Sequence, residues 1–184
     1  MAERDGLFQI SLMNVFRQAA RERDARKTID VLSEDGGRVL SSRSIERREG
    51  ASQATLRDHL AQDLMNLLGT IHLDAAQSLD GLDHVRRSVL NYGMQDMSRL
   101  TTEDFKKSAV VRDLRAALLA HEPRLIEETL VISLRSKSAD NQQRIAFDVR
   151  AEMTARPVDV PLEFVAEIDT GAGKVALSDL VVRG

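Results

Sequence analysis

Residues Leu114 to Leu134 read LRAALLAHEPRLIEETLVISL, and the periodicity changes sense within them. Before His121, Val111, Leu114 and Leu118, with alanines between, recur at spacings of three and four, the period of one buried helix face. The helix predicted from this pattern runs from about Thr102 to Glu122. Pro123 ends it, because proline has no amide N–H and its ring clashes with the preceding turn. The proline also pushes Glu122 out of helical geometry. Beyond Leu125 the period falls to two, with Leu130, Ile132 and Leu134 on one face and Thr129, Val131 and Ser133 on the other, as in a strand. By residue chemistry alone, Glu122-Pro123-Arg124 is a helix stop with two charges exposed to solvent.

Working outward, the C-terminal side keeps the strand period. Ile145, Phe147, Val149, Ala151 and Met153 alternate with Ala146, Asp148, Arg150 and Glu152. Leu162, Phe164, Ala166 and Ile168 repeat the pattern, and Thr170-Gly171-Ala172-Gly173 reads as a hairpin turn into Lys174–Val182. The N-terminal side is helical. Ser52 caps a predicted helix to Leu68, whose Leu56, Leu60, Leu64, Leu67 and Leu68 form one stripe and which Gly69 terminates. Asp83 opens a second helix with Val85, Val89 and Leu90 inward. It ends near Asn91-Tyr92-Gly93, where Asn91 or Gly93 takes a positive φ and Tyr92 tucks beneath the terminus. Thr101 or Thr102, followed by Glu103 and Asp104, caps the helix that reaches Pro123. Leu7–Ala20 is a short amphipathic helix, with Leu7, Ile10, Met13 or Asn14, and Phe16 or Arg17 at near-helical spacing. Arg21–Gly50 is a charged arm, read either as a solvated tail or as a peptide that orders on a partner.

Helices followed by three or four antiparallel strands give an α+β class. The expected organisation is a helix and flexible arm over 1–50 and a single α+β domain over 51–184. A chain of 184 residues, 42% hydrophobic and 30% charged, suffices for one core and not for two large domains. The net charge of −3 and 3% aromatic content argue against a general nucleic-acid binder. The absence of cysteine excludes disulfides and thiolate metal sites. No secretory signal or membrane span is expected, which gives a cytoplasmic protein without direct membrane insertion.

Three groups of residues, in order, resemble the TssE family of type VI secretion baseplate subunits, itself similar to a wedge protein of contractile phage tails. They are Leu56-Arg57…Asp63-Leu64, then Val85-Arg86-Arg87-Ser88-Val89-Leu90-Asn91-Tyr92-Gly93, then His121-Glu122-Pro123-Arg124-Leu125. The similarity covers roughly Leu56 to Leu177. Where the family has Leu-Asn-Thr-Arg after the first long helix, this chain has Leu68-Gly69-Thr70-Ile71, so no role of that arginine carries over. The resemblance implies a baseplate-wedge-like domain and a structural role, linking a wedge core of TssF and TssG, with TssK, to a sheath of TssB and TssC. It places the baseplate at the inner membrane. It also implies that Glu122, Pro123 and Arg124 contact the wedge core. Lys174, Val175, Ala176 and Leu177 lie in a last strand that no helix follows, and this strand is expected to be an edge on which the sheath is templated.

The alternative is a peptidoglycan hydrolase, since phage relatives have been labelled lysozymes. A glycosidase needs two carboxyl groups about 5–10 Å apart, one of them protonated. Glu122 is a poor acid on this reading, because Arg124 nearby favours its ionised form. His59, His72, His84 and His121 have no metal-ligand spacing, and neither Gly36-Gly37 nor Gly171-Ala172-Gly173 has a phosphate-loop pattern. No enzyme activity, cofactor or metal is expected.

Overall fold

The computed structural model describes residues 7–21, 23, 46, 48–98, 108–135, 144–169 and 171–182. Most of the arm expected over Arg21–Gly50 lies outside these residues, as do Thr101, Thr102, Glu103 and Asp104. The chain divides into two units, Met1–His59 with Ala155–Val158, and Leu60–Thr154 with Asp159–Gly184.

In the first unit, Phe8 and Ala51 exchange both backbone hydrogen bonds at 2.8 Å, so the chain before Ser11 is extended. Helix α1 therefore starts late, at Leu12, and runs to Arg21. Of the Met13/Asn14 pair it is Asn14 that is buried, while Leu12, Met13 and Phe16 are exposed.

Helix α2, Gln53–Leu68, follows its sequence closely. Ser52 Oγ accepts from Thr55 N–H at 3.2 Å, and all five leucines of the stripe are buried. Each such leucine contributes about 2 kcal/mol relative to an exposed one.

In the second unit, the helix expected from Asp83 to Asn91 is broken into two turns. Helix α3 is one turn, Asp83–Arg86, and a 3₁₀ turn follows at Val89–Asn91. Ser88 is the cause. Its hydroxyl donates to Val85 O at 2.8 Å and accepts from Leu90 N–H at 3.2 Å, competing with the helical backbone bonds. Ser88 itself is extended, which rotates Val89 and Leu90 outward. They are 82% and 68% exposed, correcting the inward placement.

Helix α4, Ser108–His121, buries Val110, Leu114 and Leu118 at four-residue steps, with Val111 only half-buried. The sheet is an antiparallel meander in the order β1 (Val131–Leu134), β2 (Arg144–Met153), β3 (Val160–Asp169), β4 (Lys174–Val182). Pairing sets Val149 opposite Ile132 and Phe164, and Phe147 opposite Ala166, so one face is a continuous apolar layer. The other face carries cross-strand ion pairs, Arg150–Glu163 at 3.0 Å among them. Arg115 of α4 donates to Leu130 O and Glu127 O at 2.5 and 2.8 Å, fixing the link from helix to sheet.

Strand β4 lies at an edge of this sheet. Val165 pairs with Ser178 but Glu163 with Val181, so β4 holds one extra residue there. Asp179 takes it up at φ +52°, as a β-bulge does.

Candidate functional site: a charged corner between helix and sheet

The corner begins where α4 runs out. Glu122 N–H makes the last helical bond, to Leu118 O at 2.8 Å, and Pro123 then turns the chain. The segment beyond joins the end of β2: Ile126 N–H donates to Glu152 O at 2.9 Å, and Thr154 N–H to Arg124 O at 2.7 Å. The backbone of Arg124 is thereby fixed from both sides.

The side chains close on each other. Arg124 Nε donates to Glu122 Oε1 and Nη2 to Glu122 Oε2, both at 2.6 Å, the two-pronged geometry that makes arginine–carboxylate pairs strong. The same Nη2 reaches Asp63 Oδ2 on α2 at 2.6 Å. Glu122 is only 5% exposed, so the expectation of two charges in solvent is corrected: one is buried and the other is pinned above it. The physical reason is that Asp63 and Glu122 together satisfy a guanidinium that could not enter alone. Burial opposes the charge on Arg124, but the bond and charge of Glu122, then those of Asp63, outweigh it and raise its pKa above the ordinary arginine value. Nη1 makes no hydrogen bond to a described residue, and the Arg124 side chain is 24% exposed.

The Leu90-Asn91-Tyr92-Gly93 stretch packs beside this corner. The Tyr92 ring meets His121 edge-on, with centroids 5.1 Å apart, and its hydroxyl donates to Asp63 O at 3.4 Å. Gly93, not Asn91, takes the positive φ, at +127°. A Cβ there would lie 2.5 Å from Thr70 O, so only glycine fits against that backbone. Asn91 is buried instead, accepting from Asp74 N–H at 2.9 Å and donating to Arg86 O at 3.1 Å. All three sequence motifs thus supply residues to one place. Asp63 is the member that sequence reasoning leaves out of the site, although it stands inside the first motif beside buried Leu64.

Lys174, Val175, Ala176 and Leu177 lie apart from the corner, on the edge strand β4. Asp63 and Glu122 both bind the same guanidinium, so neither is a free acid or base. A depression of about 470 Å³ on the outer face of the sheet is open, and Arg150 and Glu163 in its lining already pair at 3.0 Å.

No curated protein and no solved structure matches the chain. Residues 54–158 match the family described as baseplate wedge protein gp25. That stretch covers more than half of the chain, from α2 through the charged corner to the end of β2, and holds Asp63, Asn91, Tyr92, Glu122 and Arg124. The chain therefore belongs to the baseplate wedge protein gp25 family, the family that includes TssE.

Proposed function

We propose that this chain is a structural wedge subunit of a type VI secretion baseplate, joining the TssF–TssG core, with TssK, to the first TssB–TssC sheath layer. It works on the cytoplasmic side of the inner membrane, by positioning and not by chemical turnover. The observation that supports the wedge-core contact is the state of Arg124. Two carboxylates and a turn fix its guanidinium, and its Nη1 is left over as a donor. A donor immobilised before binding loses little entropy when a partner acceptor arrives.

Arg124→Lys tests this. Lysine keeps the charge but not the planar fork. The expected outcome is loss of TssF–TssG binding by about 2 kcal/mol or more in titration calorimetry. Unchanged binding overturns the assignment of Glu122, Pro123 and Arg124 to the wedge core. Sheath templating is supported by the edge position of β4, since an added strand needs such an edge. Proline at Ala176 or at Leu177 removes successive amides, one of which points away from β3. One of the two is expected to stop TssB–TssC polymerisation while wedge binding persists. Growth of sheath on both overturns the edge assignment.

A further inference from the structure

We propose that the turns from Leu82 to Leu90 form a docking surface for another baseplate protein, one presenting an apolar groove with carboxylates on its rim. The proposal rests on family membership and not on the Glu-Pro-Arg assignment.

Buried or half-buried polar side chains beside the segment hold its backbone: Asn91 bridges Asp74 N–H and Arg86 O, and Asp74 Oδ1 accepts from Leu79 N–H at 3.0 Å. Ser88 joins Val85 O to Leu90 N–H. Val89 and Leu90 face solvent, with Leu82 exposed at the head of the same segment. A scattered exposed leucine needs no explanation, but apolar neighbours on a hydrogen-bonded, preformed turn mark an interaction surface.

Charge selects the occupant. Arg86 is engaged by Asp74 and Asp80, each at 3.3 Å. Arg87, exposed two residues before Val89, pairs with no carboxylate among the described residues. It therefore asks for an acid across the interface. Exposed Asp83, next to Leu82, sets a negative charge at the other end, which an anionic lipid surface or a phosphate backbone would repel. A protein groove can meet both.

The test titrates full-length protein against the purified, co-expressed wedge subunits of the same machine. Val89→Ser/Leu90→Ser and Arg87→Glu are each expected to weaken binding at least tenfold. Their melting temperatures should stay within about 2 °C, because the altered groups are exposed. Arg124→Lys is run alongside. If it binds normally while the Val89/Leu90 variant does not, the corner assignment fails and this one stands. Unchanged binding by Val89→Ser/Leu90→Ser overturns the proposal. So does a wild-type dimer in sedimentation that the variant converts to monomer, or flotation with phosphatidylglycerol vesicles that it abolishes.

Discussion

The corner at Glu122 and the turn at Val89 are neighbours in space and opposites in construction. At the corner, charge is inside: Glu122 is buried and Arg124 spans it and Asp63. At the turn, apolar side chains are outside and the amide of Asn91 is within. Residue type alone would have placed each group the other way round. The difference teaches that a polar group goes inside wherever it can be fully partnered, and that the apolar group displaced from that position is left for another surface.

The largest loss of stability is expected at Gly93. Gly93→Ala would force a Cβ against Thr70 O and hold a side chain at a φ that L-residues avoid. A loss of about 3 kcal/mol or more in urea unfolding is expected. Glu122→Ala comes next. It removes the two-pronged partner from a largely buried guanidinium and leaves Asp63 alone with it, costing about 3 kcal/mol. A cost within about 0.5 kcal/mol would return Glu122 to the solvent-exposed reading. Asn91→Ala leaves the Asp74 amide and the Arg86 carbonyl without their partner, for about 1–3 kcal/mol in the same assay. At the other extreme, Val89→Ser should stay within about 0.5 kcal/mol, and a larger loss would mean that Val89 belongs to the core.

The smallest effect is one of pH. Burial lowers the pKa of His121, a hydrogen bond to the Asn91 backbone partly restores it, and the charge of His72 lowers it again. The fold thus prefers neutral His121, while the unfolded chain takes up its proton near pH 6.5. This contribution is complete above about pH 6.5 and is lost as pH falls through the lower folded value. The urea midpoint should fall between about pH 7 and 5, and less steeply in His121→Gln. Equal slopes would show that His121 does not sense its surroundings.

What could be read from the sequence was what periodicity carries. The alternation from Arg144 to Met153 is β2 residue for residue, and the leucine stripe is α2. The three-residue step from Leu177 to Leu180, in a strand that otherwise alternates, is the trace of the bulge at Asp179. Other features depend on groups far apart in the chain. Nothing local to Asp63 says that it will meet Arg124, 61 positions on. Ser88 resembles any helix-surface serine until its hydroxyl is seen bonded to the backbone on both sides. The apolar period of α1 is genuine, yet the bridge of Phe8 to Ala51 keeps the chain extended before Ser11, so the helix starts only at Leu12.

The shared guanidinium of Arg124 has a mechanical consequence. A partner bound at Nη1, as proposed, would pull at once on three anchors: the last turn of α4 through Glu122, α2 through Asp63, and the end of β2 through the bond from Thr154 N–H to Arg124 O. A load applied at that one nitrogen is divided among helix and sheet instead of peeling a single strand. Each bond then carries a fraction of the force, and failure requires several to break together. In the contractile machine proposed for this chain, such a corner would act as a rivet.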